Sequence, residues 1–193
     1  MRMKRNPEMS LVLQAAKDSH RPLAERGLWH VIIGGLAVHL HGVFDRKARD
    51  VDLLIRPEDV DAVKEALLSA QYTWHNFRRA CVSANGVRVE PHWNGKTGGR
   101  KGKRVTLHFP CPATLDVVDI DGLPVIALRP LIETKLECEP HTLDGRESKS
   151  KHREDVLTLI RLNNLTESFG ESLSASNQAR YRQIVRESQA LSH

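Results

Sequence analysis

Asp50 and Asp52 flank Val51 in the run DVDLLI. On a strand, alternate side chains share a face, so both carboxylates point one way and Val51 points into the core. Two carboxylates on one face repel each other unless a cation sits between them. Magnesium takes oxygen ligands and commonly uses one or two carboxylates together with substrate phosphates. A lone D-x-D also suits a solvated strand end. Gly34-Gly35 sharpens the reading, because it closes the apolar run WHVII and opens LAVHLHGV. A strand, a glycine turn and a helix in that order aim backbone N–H groups and the helix dipole outward, which makes a phosphate seat. Glycine there also lets the backbone approach a ligand closely.

The elements that position these groups read as mixed α and β. Leu11, Leu13, Ala15, Ala16, Leu23 and Ala24 give residues 7–26 a helical apolar face. Residues 29–33 and 50–55 are strands. Pro57 opens a helix with Val60, Val63, Leu67 and Leu68 at helical spacing. Residues 72–82 read as a strand or an irregular link, and 86–93 (GVRVEPHW) alternate as a strand, with Glu90 opposite the face of Val87 and Val89. Pro91 predicts that this strand lies at an edge or stops there. Asn94 to Arg104 is a glycine-rich, positively charged loop, either a basic flap for a polyanion or a solubilising segment. Its GKT and GK do not complete a P-loop, since Glu90 and Thr97 stand where the glycine is required. Strands follow at 105–109 and 115–127, the latter turning at Asp121-Gly122. Pro130 opens a helix with Leu131, Ile132 and Leu136, residues 139–150 are a polar loop, and helices cover 151–163 and 174–190. No internal repeat is visible.

The segment IIGGLAVHLHGVFDRKARDVDLLI resembles the signature of the DNA polymerase β-type nucleotidyltransferases. It is most similar to the branch that includes abortive-infection toxins of toxin–antitoxin systems and small bacterial nucleotidyltransferases. That branch reads G-G-x-A, H-G and R-x-T-x-D-h-D (h, apolar), here Gly34, Gly35, Ala37, His41, Gly42, Arg46, Ala48, Asp50 and Asp52, with Ala48 in the usual threonine position. The resemblance implies a third carboxylate on a neighbouring strand. Glu90 is the match, Asp119 is the serious rival, and Asp116 and Asp121 are the others. It also implies an apolar hairpin, then L-I-x-x-K, then an R-x-x-D at a helix start, matched here by LPVIALRPLIETKLE and by HREDVLTLIR, where Arg153 and Asp155 are one residue closer. Lys135 and Arg153 would be cations facing the site, and Asp155 would orient one of them. The similarity spans roughly residues 20–165.

Charge and composition are compatible with this. Net charge is +5 and pI about 9.3, which permits a polyanionic partner such as nucleotide or nucleic acid. Cys81, Cys111 and Cys138 are an odd number, widely spaced and without CxxC, which excludes a disulfide framework and fits a reducing cytosol. His39 and His41 have no cysteine near them to make a zinc site. No apolar run is long enough for a membrane helix, and MRMKRNPEMS lacks a signal-peptide core.

The sequence therefore predicts an α/β nucleotidyltransferase fold, a small mixed β-sheet flanked by helices with a C-terminal helical extension. Residues 1–165 would form the domain and 166–193 a tail on it. The implied chemistry is transfer of an NMP from an NTP to a hydroxyl of RNA, protein or a small molecule, in the cytoplasm and away from membranes. Asp50, Asp52 and Glu90 would hold two Mg2+ ions, or Mn2+. Gly34, Gly35, Arg46, Lys135 and Arg153 would bind the nucleotide, with Asp155 in support. Two alternatives stay open: a toxin partnered by an antitoxin, and a degenerate protein of this fold that binds nucleotide or RNA without turnover.

Overall fold

The structure is a computed structural model that describes residues 8–76, 79–98, 105–106, 111–138 and 151–190. Helix α1 (Met9–Glu25) buries Val12, Ala15, Ala16, Ser19 and Leu23, a single stripe at helical spacing. Strand β1 (His30–Ile33) runs into the short helix α2 (Gly34–Leu40), and β2 (Asp50–Ile55) follows. A 3-10 turn at Pro57–Asp59 leads into α3 (Val60–Ser69), since proline suits the first turn of a helix but not its interior. Three further strands follow: β3 (Thr73–His75), β4 (Ala80–Val82) and β5 (Arg88–His92). A two-residue ladder joins β6 (Thr97–Gly98) to β7 (Val105–Thr106).

The hairpin β8 (Val117–Ile120) and β9 (Leu123–Ile126) turns at Asp121-Gly122, with both residues at positive φ. Helix α4 (Leu128–Cys138) starts two residues before the predicted proline, and α5 (Lys151–Leu162) follows it. A 3-10 turn at Glu167–Ser172, not anticipated from the sequence, precedes α6 (Ala175–Ala190). The expected strand at 107–109, the loop at 139–150 and most of the basic segment from 99 to 104 lie outside the described residues.

Seven strands form one mixed sheet in the order β3-β4-β5-β2-β1-β9-β8. Strand β2 is central, antiparallel to β1 and parallel to β5. Of the two readings of Pro91, the edge strand is corrected, since β5 is interior between β4 and β2, while the strand end holds to within one residue, β5 stopping at His92. Pro91 is tolerated because it lies past the last β4 partner, where β5 is paired only to β2.

The pleat sorts the two faces. Val51, Leu53 and Val89, each 1% exposed or less, point to the face that α1 and α3 cover. His30 shares that face and meets His20 of α1 at 2.8 Å. Asp50, Asp52, Arg88, Glu90 and His92 alternate to the other face, where α2 begins. Helices α4, α5 and α6 pack on one another beside α2, and Tyr181, Ile184 and Val185 of α6 join the same apolar core as the sheet. Among the described residues no helix is long and apolar enough to cross a membrane.

Candidate active site

Register places the carboxylates. Asp50 is opposite Arg88, and Asp52 is opposite Glu90, on parallel neighbours. The three acids therefore line one strip of sheet, as the D-x-D spacing requires once β5 docks beside β2. The rival acids lie elsewhere. Strand β8 is separated from β2 by β9 and β1, Asp119 there accepts the Gly122 N–H at 3.0 Å within its own turn, and Asp116 pairs with Arg129.

Cations and donors converge on the acids. The Arg88 guanidinium bridges Asp50 Oδ2 at 2.5 Å and Glu90 Oε1 at 2.8 Å. The Nε2–H of His92 donates to Asp52 Oδ1 at 2.9 Å. Lys96 reaches back to donate to the Pro91 carbonyl at 2.5 Å, and its charge acts on Glu90 and Asp52.

Burial raises the Asp50 carboxyl pKa, and the Asp52 charge adds to the rise, against the Arg88 charge. Burial likewise raises that of Glu90. Burial pushes Asp52 the same way, but the His92 hydrogen bond and the His92, Lys135 and Lys151 charges outweigh it and hold its pKa low. The strip thus carries one firmly ionised acid between two that burial makes more basic.

Asp52 also explains the first glycine. Gly34 sits at φ +72°, and a Cβ there would lie 2.1 Å from Asp52 Oδ2. The bare backbone at the start of α2 is what lets the second aspartate turn toward it. A Cβ on Gly35 would meet the Arg46 guanidinium at 3.3 Å. Arg46 Nε donates to Asp155 Oδ1 at 2.6 Å, and Lys135 Nζ donates to Asp155 Oδ2 at 2.7 Å. Lys135 and Asp155 are buried, so this triad fastens the loop before β2 to α4 and α5. Asp155 thus pairs with Lys135 and with Arg46 at once. Arg153, expected as a second such cation, pairs with Glu187 in the seam between α5 and α6. Ala48 is buried in the apolar core.

Two carboxylates and an imidazole, those of Asp52, Glu90 and His92, make a donor set that could hold a divalent metal ion. Ligand atoms of Asp52, Glu90 and His92 lie within 4.8 Å of one another, and Asp50 and Glu90 already share a positive group. His92 Nε2–H donates to one Asp52 oxygen, and the other lies beside Gly34.

Arg88, His92, Lys96 and Lys151 were not singled out in the sequence. Strand parity with Glu90 marks Arg88 and His92. Lys151 is brought in only by the placement of α5.

These features are those of a nucleotidyltransferase fold. By superposition the chain is similar to the solution structure of the antibiotic-resistance factor ANT(2'')-Ia, with a TM-score of 0.57, 15% identity, and coverage of 95% of this chain and 96% of that one. It is also similar to the crystal structure of ANT(2'')-Ia in complex with adenylyl-2''-tobramycin, with a TM-score of 0.55, 16% identity, and coverage of 92% and 98%. No protein-family model and no curated protein matches the chain.

Proposed function

We propose that the protein transfers an NMP from an NTP to a hydroxyl-bearing acceptor with the help of magnesium. The observation that carries this is the alignment of Asp50, Asp52 and Glu90 on adjoining strands, with Asp52 turned against the bare backbone of Gly34. Asp50, Asp52 and Glu90 would hold the ions, two Mg2+ or Mn2+ in place of them. Bound there, divalent cations supply positive charge to the transferred phosphoryl group.

This chain's own groups do the rest. Gly34 and Gly35 would seat the triphosphate at the start of α2, with Asp52 beside the first and Arg46 over the second. Arg46 and Lys135, fixed by Asp155, and Lys151 at the head of α5 present positive charge to the phosphates and hold them in line. Glu90, made more basic by burial, takes the proton of the acceptor hydroxyl as its oxygen attacks the α-phosphorus. The bond from the α-phosphorus to the bridging oxygen breaks, and pyrophosphate leaves. That a structural neighbour is held with an adenylylated aminoglycoside supports a hydroxyl acceptor.

The narrower reading, a toxin with an antitoxin partner, rests on the run from Gly34 to Asp52. It predicts growth arrest on expression, relieved by Asp52→Asn.

The test of the main reading is transfer of α-labelled nucleotide, with magnesium, to panels of RNA, protein and small-molecule hydroxyls. Wild type should label one class and release pyrophosphate, and Glu90→Gln should lose both. Tight nucleotide binding with no pyrophosphate release under any condition would replace this reading with a non-catalytic binder.

A further inference from the structure

A cavity of about 640 Å³ opens between the loop that leads to β2 and helix α5. Its size is that of a small-molecule site. Arg46 and Lys151 line it, and the same Arg46 guanidinium stands over Gly35 while the Lys151 charge acts on Asp50 and Asp52. Two of the cavity's lining cations thus relate it to the site, Arg46 through Gly35 and Lys151 through its charge on Asp50 and Asp52.

Phe44 forms one wall with 76% of its surface exposed, the most exposed large apolar side chain among the described residues. It is nevertheless held in place. Its N–H donates to the Gly42 carbonyl at 2.9 Å, the Arg46 N–H donates to the Val43 carbonyl at 2.9 Å, and the buried His39 ring meets Phe44 edge-on, 5.6 Å between centroids. Gly42 backs onto Leu162 of α5, where a Cβ would come within 2.9 Å of Leu162 Cδ2, so the loop packs closely on the helix. An aromatic ring fixed in water beside a cationic mouth is a platform for a flat ring attached to phosphates.

We propose that this cavity seats the nucleobase of the donor nucleotide, with Phe44 stacking on it and Glu154 reading its edge. The proposal rests on the nucleotidyl-transfer reading above and extends it to the choice of base. On the wall opposite Phe44, Lys151 is a donor, placed for the phosphates, and Glu154 and Thr158 are acceptors placed for the base. Glu154 is an exposed carboxylate on α5, and the Thr158 hydroxyl spends its hydrogen on the Glu154 carbonyl at 2.9 Å, which leaves its lone pairs outward. A base that brings an amino group satisfies them. Uracil, with two carbonyls beside one N–H, does not.

The experiment is calorimetric binding of ATP, GTP, CTP, UTP and inorganic tripolyphosphate, each with magnesium, to wild type, Phe44→Ala, Phe44→Trp, Glu154→Gln and Asp52→Asn. Phe44→Ala should weaken nucleotide binding by about tenfold, leave tripolyphosphate within about twofold, and keep the unliganded melting temperature. Phe44→Trp should restore nucleotide affinity. UTP should bind worst to wild type, and Glu154→Gln, which adds a donor, should narrow that gap. If Phe44→Ala binds nucleotides as wild type does while Asp52→Asn does not, the cavity is not the base seat although the transfer reading stands. UTP binding as tightly as the other three would overturn the role of Glu154. If neither nucleotides nor tripolyphosphate bind wild type, the transfer reading fails and this proposal with it.

Discussion

Asp52 and Gly34 occupy each other's space, and that one contact links the glycine turn to the acidic strip. Gly34→Ala would strain a positive-φ position and drive a methyl group into Asp52 Oδ2. The expected cost is about 1–3 kcal/mol in a denaturant titration, with loss of magnesium-dependent nucleotide binding. Gly27, also at positive φ but with open space around it, is the control: alanine there should leave nucleotide binding intact. At this scale the sequence was informative where local geometry decides. The period of a strand puts Asp50 with Asp52, and Arg88 with Glu90 and His92. It was uninformative where helix phase and docking decide. Two residues apart on α5, Lys151 acts on the acids while Arg153 pairs with Glu187, and no local pattern separates them.

The elements are held around the site by a buried charge cluster. Asp155 on α5 accepts from Lys135 of α4 and from Arg46 of the loop before β2. Removing one member of a buried pair leaves an uncompensated charge. Asp155→Ala should therefore cost about 3–5 kcal/mol in equilibrium unfolding. Adding Lys135→Met should recover part of that loss, because an apolar side chain needs no partner there. A surface role for Asp155 would instead give a loss under about 1 kcal/mol and no rescue. Helices and strands with clear periodicity were legible, β2 to the residue. Pro91 marked the strand's end to within one residue, but its edge reading misled because one-sided pairing, a consequence of where β4 stops, cannot be seen along the chain.

For the whole molecule, acid should be destabilising from the histidines. Burial, with the Lys135 and Lys151 charges, pushes His152 down to about 4, and burial also lowers His30. Above pH about 6.5 both are neutral folded and unfolded, so neither affects stability. As pH falls from 6.5 toward 4 the unfolded chain takes up protons that folded His152 refuses, and stability drops. The full effect is about 3 kcal/mol for His152, reduced by its partial solvent contact. Asp50 and Glu90 act in the opposite sense nearer pH 4–5, since their raised folded pKa values favour proton uptake by the folded state. Melting temperatures from pH 7 to 4.5 should fall first and then flatten, and His152→Gln should remove the early part of the fall. The basic net charge was readable from composition, but the sorting of acids to one sheet face and of lysines to its rim required the fold.

The central claim is that the strip of Asp50, Asp52 and Glu90 binds a nucleoside triphosphate together with a divalent cation. Its most direct test is a thermal-shift panel of the four triphosphates, with and without magnesium, on wild type and Asp52→Asn. A ligand at about 100 times its dissociation constant stabilises by about 2.7 kcal/mol, several degrees for a chain of this size. The account predicts that at least one nucleotide raises the wild-type melting temperature only with magnesium and that Asp52→Asn loses that increment. No shift with any nucleotide, or an equal shift in Asp52→Asn, would contradict it.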